Sequence, residues 1–221
     1  MDAVERLDLL DTTRIIYTSD HVEAAGHHGI LGKANHYEHS IGVPLLIQGA
    51  GITPGTRVAP VVSLVDLFPT IVESVGGTFA DEDLSLPGKS LWDLATGTAD
   101  PTDRIAFTEF HAMGSLTASF AIRKGSHKLI YHVDMPSQLF DLSVDPREEN
   151  DLLAAAQNHP VADALIAELH KIVDPQAVEK QEKPDQRARI EELGGVEAVA
   201  KAGVFSVSPI PGKSVDLETT K

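Results

Sequence analysis

Apolar residues recur along the chain with two different periods, and the change of period divides it. Over residues 63–75, Leu64, Leu67, Phe68, Ile71, Val72 and Val75 fall at helical spacing and predict a helix with a wide apolar face. Ser63 stands three positions before Asp66, the spacing of a capping box; Asp66 itself is the other candidate cap, with Pro69 in the first turn. Gly76-Gly77 supplies the stop. Upstream, the apolar clusters at 14–19 and 43–47 read as short buried strands, with Pro44 best placed at the first position of the second. Val4, Leu7 and Leu10 suggest a short N-terminal amphipathic helix. Strand, loop, strand, helix is an α/β rhythm. A polar connection over 80–103 carries one apolar anchor, Leu91-Trp92-Leu94, and then the pattern alternates. Residues 105–110, 119–123, 127–132 and 138–142 predict four strands in succession, with Lys124-Gly125-Ser126 turning the second into the third. Strands without intervening helices predict a small antiparallel sheet. A helix opening near Pro160, with Val161, Leu165, Ile166, Leu169 and Val173 on one face, closes this part. Beyond Asp174 the chain is charged and weakly periodic, and it ends in a Pro/Gly/Ser-rich tail. The expected organisation is an α/β region over 1–103, an antiparallel subdomain over 104–175, and a charged helix with a tail over 176–221.

Charge narrows the partners. The formal net charge is −15 and no basic run breaks it, so nucleic acid is not expected as a partner. The chain has no cysteine, which excludes disulfides, thiolate metal sites, Fe–S clusters and a cysteine nucleophile within it. No apolar run approaches the length of a membrane span, so no membrane partner is expected. The N-terminus is acidic and lacks the basic start of a secretory signal; a cytoplasmic location is the expectation.

The chemistry is concentrated in Arg14 to Lys33. The first strand ends in Asp20-His21, a glycine-rich loop follows, and it arrives at a single lysine, Lys33. His21, His27, His28, His36 and His39 are half of the chain's ten histidines. An oxygen and a nitrogen ligand at a strand end suit a divalent cation of the Mg, Ca or Mn kind. A lysine delivered by the next loop can hold a tetrahedral anion, and glycines let the loop pass close to it. Asp20 and His21 are the candidate metal ligands, the alternative being a turn carboxylate beside a surface imidazole with a solvated lysine. Lys33 is the expected catalytic and anion-binding group, with His28 beside it on the anion.

These residues resemble a known family. The stretch TSDHVEAAGHHGILGKANHYEHSIGVPLLI is similar to the block T-S-D-H-G, G-x-x-G, K and R-V-P-L of the sulfatases in the alkaline phosphatase superfamily. The likeness continues through VVSLVDLFPTIVESVGG, LPGKSLWDL, FTEFHAMGS and QLFDLSVDPREENDLL. HAMGS and SPIPG look closest to the bacterial branch of choline-sulfatase-like enzymes and phosphonate monoester hydrolases. The resemblance implies the second half of an alkaline-phosphatase-like mixed α/β sheet with helices, plus a small C-terminal antiparallel sheet and helix. It also implies a Ca, Mg or Mn ion, and hydrolysis of a small sulfate ester, or alternatively a phosphonate or phosphate ester, by a formylglycine hydrate. Two departures stand out. Val22 replaces the usual glycine after Asp-His, and the C/S-x-P-x-R motif that yields formylglycine is absent. The chain is therefore expected to be inactive alone, as a sulfatase-type hydrolase short of its nucleophile segment or as an inactive binding module.

Outside that stretch, His111 is expected either to line the same site or to be a structural histidine, with Glu109 as its anchor. Arg123 and Lys128 flank the hairpin and are expected in solvent, and Asp145, Glu148 and Glu149 read as a charged turn. An apolar strand edge without its partners predicts an oligomer or a missing N-terminal half that covers it.

Overall fold

The computed structural model describes residues 2–98, 104–111, 115–154 and 158–202. The core of the HAMGS segment and the tail with SPIPG lie outside these. The chain forms two compact units, Met1–Pro175 and Gln176–Lys221. The first is a mixed α/β unit holding a two-stranded and a four-stranded sheet.

The alternating part of the sequence makes the better-sealed core. Strands β3 (Ile105–Phe110), β4 (Ser119–Lys124), β5 (His127–His132) and β6 (Gln138–Asp141) form an antiparallel meander in the order β3-β4-β5-β6, close to the expected bounds. The register pairs Phe120 with Tyr131 and Ala121 with Ile130. Alternation then sends Phe120, Ile122 and Leu129 to one face and Ser119, Ala121, Arg123, Lys128 and Ile130 to the other. A helix, α5 (Pro160–Ile172), packs on β4 and β5. Phe120, Ile122, Leu129, Leu139 and Leu169 are fully buried. Each contributes roughly 1.5–3 kcal/mol by its removal from water. Pro160 occupies the first turn of α5, and the His159 side chain caps it by accepting the Val161 N–H at 3.3 Å.

The first part of the unit is sparser. After α1 (Asp2–Arg6), strand β1 (Arg14–Tyr17) pairs antiparallel with β2 (Leu46–Gly49). The helix α1 is shorter than Val4, Leu7 and Leu10 suggest, and Leu7, Leu9 and Leu10 are exposed. The second strand begins two residues after Pro44, later than its apolar run predicts. Its register closes on Gly49 opposite Arg14, at φ +128. A Cβ there would sit 2.2 Å from the Thr13 carbonyl, so only glycine fits this pairing.

Between the sheets lie α2 (Glu38–Ile41), α3 (Leu67–Ser74) and α4 (Trp92–Thr96). The helix expected over 63–75 opens as a tight 3-10 turn, Leu64–Asp66, before α3 begins. Asp66 reaches back to accept the Ser63 N–H at 2.9 Å, as a capping box requires of its acid. The burial pattern departs from the amphipathic expectation, with Leu67 and Val72 only half-buried. Asp66 and Thr70 are buried, whereas Phe68, Ile71 and Val75 are exposed. Polar bonds explain the orientation: Asp66 accepts the Lys89 N–H at 2.8 Å and pairs with Arg104 at 3.5 Å, and the Thr70 hydroxyl accepts the buried Leu91 N–H at 2.8 Å. Leu91 is the buried end of the expected anchor, and Trp92 stacks under Arg14, 4.8 Å from guanidinium carbon to ring centre.

The second unit carries the charged helix α6 (Pro175–Glu192) and α7 (Val196–Ala202). Its polar pairs, such as Gln181–Asp185 and Arg189–Glu192, run along the helix surface. Among the described residues no helix is long and apolar enough to cross a membrane.

Candidate functional site

At the end of β1 the chain turns outward through Thr18 and Ser19 into Asp20-His21. The His21 N–H donates to Asp20 Oδ1 at 3.0 Å. That bond holds the Asp20 carboxyl below its usual range, so it is an anion at neutral pH. His21 Nδ1 lies 3.1 Å from the Val22 carbonyl. A carbonyl only accepts, so Nδ1 carries the proton and Nε2 keeps its lone pair. Nε2 lies 3.3 Å from Asp20 Oδ2 and also contacts Lys33 Nζ, which donates to it. Val22 is outside the positive-φ region, which is why a branched residue is tolerated where the resembling family has glycine; its N–H donates to the Ser40 carbonyl at 2.9 Å.

The loop folds back on itself to bring Lys33 to His21. Ala24 N–H donates to the Gly32 carbonyl at 2.9 Å, and inside that closure Gly26 N–H donates to Ile30 at 2.9 Å. A 3-10 turn, His27–Gly29, makes the tip. Gly26, Gly29 and Gly32 all have positive φ, as do Ala25 and His28, so the return is built on left-handed residues. Asp20, His21 and Lys33 therefore converge. Asp20 and His21 also open onto a cleft of about 520 Å³, whose other walls include Ser40, Val62, Thr108 and Arg123.

Two other candidates lie elsewhere. His28 stacks on Tyr37 at 4.0 Å between ring centres, and its Nε2 bonds the Arg147 carbonyl at 3.0 Å; it does not line the cleft. His111 packs edge-on against Phe120 at 5.3 Å with Glu109 Oε2 3.4 Å from its Nε2, the anchor expected for it, and it is also absent from the cleft wall.

A divalent cation fits Asp20 and His21 in part. They offer one anionic oxygen and one neutral nitrogen, and the far nitrogen of His21 is fixed by a carbonyl, as it is in metal-bound imidazoles. Among the described residues no third His, Asp or Glu joins them.

The interior of the site is a charged cluster that the sequence hides. Lys128 and Glu148 are buried, not solvated. Lys128 Nζ donates to the His36 carbonyl at 2.8 Å and to Glu38 Oε1 at 3.0 Å, and it forms an ion pair with Glu148. Glu148 accepts the Glu38 N–H at 2.7 Å, and Glu38 also pairs with Arg123 at 3.1 Å. This pins the segment after Lys33 onto the Ser119–Lys128 face of the meander. His36, buried beside it, bonds Ser119 Oγ at 3.0 Å. Burial, helped by nearby His132 and Lys128, pushes the His36 pKa down to about 4. The available signal was parity: Lys128 alternates with Ile130 on a face that the meander buries.

Comparison with known proteins places this geometry. Residues 26–175 match the family described as N-sulphoglucosamine sulphohydrolase, C-terminal. Arylsulfatase K of Mus musculus is 36% identical over 182 residues, covering 78% of this chain and 32% of its own length. Choline-sulfatase of Rhizobium meliloti (strain 1021) is 36% identical over 166 residues, covering 75% and 32%. Among solved structures, one in complex with its substrate D-glucosamine-2-N,6-O-disulfate superposes with a TM-score of 0.67 at 26% identity, over 83% of this chain and 37% of its own. The phosphonate monoester hydrolase of Agrobacterium radiobacter gives 0.65 at 27% identity, over 77% and 36%. The chain thus spans about a third of the length of the relatives it matches. Family match, sequence relatives and fold agree: the chain belongs to the sulfatase family, as a region corresponding to its C-terminal part.

Proposed function

We propose that this chain provides one side of a sulfatase active site, binding a sulfate ester through Lys33 and a divalent cation through Asp20 and His21. The observation that carries the reading is the convergence of Asp20, His21 and Lys33 at the end of β1, with His21 Nε2 3.3 Å from Asp20 Oδ2 and the Lys33 ammonium beside them. A cation and an ammonium placed together suit a tetrahedral dianionic group and the negative charge that grows on a departing oxygen. The cation, when bound, supplies Lewis-acid polarisation of the ester. The chain's own residues do the rest. The Val22 carbonyl fixes the His21 tautomer so that its lone pair faces Asp20 and Lys33. Asp20 supplies compensating negative charge, and the Ala24–Gly32 closure sets the reach of Lys33.

No residue of the chain is assigned as nucleophile, because the C/S-x-P-x-R motif does not occur in it. A phosphonate ester presents the same tetrahedral anion, and a phosphonate monoester hydrolase is among the structural relatives. The sulfate reading is preferred because the matching family and both sequence relatives are sulfatases.

The test is Mn²⁺ binding to the 221-residue chain followed by water-proton relaxation, together with an aryl sulfate hydrolysis assay. Binding is expected to be weak, since two ligands do not close a coordination shell. It is expected to be lost in Asp20→Ala and strengthened in Lys33→Ala, where no ammonium competes for His21 Nε2. Hydrolysis above background that vanishes in Lys33→Ala would show that the chain contains its own nucleophile. Mn²⁺ binding indifferent to Asp20→Ala would remove the metal assignment.

A further inference from the structure

A second group of potential ligands lies outside the cleft. One ligand atom each from His28, His39 and Glu148 lies within 4.8 Å of the others, the only such trio among the described residues. None of the three lines the cleft onto which Asp20 and His21 open.

Each member is held in place by something else. His28 is clamped between the Tyr37 ring and the Arg147 carbonyl. The carbonyl takes the Nε2 proton, which leaves the other ring nitrogen of His28 with its lone pair. The His39 ring stacks on His27, with ring centres 3.4 Å apart and planes 17° from parallel. Its Nδ1 is buried and has no hydrogen-bond partner. An unpaired buried imidazole nitrogen costs free energy that a ligand bond would recover. Glu148 is buried, sits in the left-handed region at φ +59, and is fixed by Lys128 and the Glu38 N–H. Each of its oxygens retains a lone pair after those contacts.

We infer that His28, His39 and Glu148 form a second metal site, separate from Asp20 and His21, for a borderline divalent cation such as Zn²⁺ or Ni²⁺. Two imidazoles and one carboxylate are the donor set those ions prefer, whereas Ca²⁺ and Mg²⁺ want a shell of oxygens. His28 is exposed, so the site has an entry path and room for a water as fourth ligand. His28 and His39 flank Lys33 in the sequence, and Glu148 belongs to the turn after β6. An ion there ties both ends of the Lys33 loop to the antiparallel subdomain. The role is structural or regulatory, and it does not depend on the sulfatase reading of Lys33.

The experiment is Zn²⁺ titration of the EDTA-stripped full chain against a chromophoric chelator, with Co²⁺ absorption as a second readout. One equivalent is expected to bind, to give the visible bands of a four- or five-coordinate N/O site, and to raise the thermal midpoint. Affinity is expected to fall at least about tenfold in His39→Ala and in the exposed variant His28→Ala, which leaves the buried ion pairs intact. Asp20→Ala is expected to keep the Zn²⁺ equivalent while losing Mn²⁺ binding, which separates the two sites. No stoichiometric Zn²⁺ binding, affinity unchanged in both histidine variants, or affinity lost in Asp20→Ala instead would overturn the inference.

Discussion

The four-stranded meander and helix α3 show opposite relations between pattern and burial. In the meander, apolar side chains are inside, and the charged residues that join them are fully paired: Lys128 is as buried as Leu129. Around α3 the polar Asp66, just before it, and Thr70 are buried along with Pro69, the two polar groups held by backbone N–H groups from the 89–91 segment, while Phe68, Ile71 and, just after the helix, Val75 face solvent. The lesson is that a helix is oriented by the strongest unsatisfied groups within reach. Buried N–H donors outrank an apolar face that has nothing to pack against. Tyr17 and Leu46 on the two-stranded sheet are exposed as well, and exposed apolar side chains also occur around the meander, as at Leu116 and Val144.

The largest break in this contrast is expected from Lys128→Met. It strands Glu148 in the interior, leaves Glu38 with Arg123 alone, and should cost about 3–5 kcal/mol by urea denaturation. Adding Glu148→Gln should return part of that loss. If Lys128→Met is as stable as the parent, the buried cluster does not hold the two parts together.

Acid is expected to act at the same seam. The His36 imidazole titrates at 6.5 unfolded and at about 4 folded. Between those values the unfolded chain binds the proton and the folded chain does not, so stability is fully present above pH 6.5 and declines as pH falls through 4. The loss is about 3 kcal/mol from this group. His132, whose pKa burial also lowers, adds in the same direction. Urea midpoints at neutral and acid pH check this, and His36→Gln should flatten the dependence.

Adjacent residues on α3 give the sharpest pair. Thr70→Val keeps the shape but leaves the Leu91 N–H unpaired, at a cost of roughly 1–3 kcal/mol. Ile71→Ser, one position on, is expected to change stability by less than about 0.5 kcal/mol. It should lower the concentration-dependent mass seen by light scattering, since it interrupts the exposed patch. Equal losses in the two variants would mean that Ile71 is covered in solution.

Much of this was legible in the sequence, for identifiable reasons. The four strands and the Pro160 helix follow from local alternation, turn residues and capping, none of which needs a distant partner. Asp20, His21 and Lys33 stood out because charged groups at a strand end beside glycines have few structural uses. What failed depends on long-range pairing. Glu148 reads as a turn residue and Lys128 as a solvated one, since their burial is possible only because each neutralises the other and Glu38 joins them from 90 residues before Lys128. The placement of β2 was missed because Gly49, not the apolar run, sets its register. Proximity in sequence groups His28 with Lys33, but the left-handed tip of the loop turns it toward Tyr37 and Arg147.

The Lys128 anchor has a temporal consequence. Its partners His36 and Glu38 leave the ribosome long before it does, 92 and 90 residues earlier. At ~5–20 residues per second, that interval lasts roughly 5–20 s. Throughout it, the loop carrying Lys33 has only its own short-range hydrogen bonds. The catalytic-looking segment is thus synthesised early and assembled late, and a nascent chain arrested before Lys128 would display that loop without its anchor.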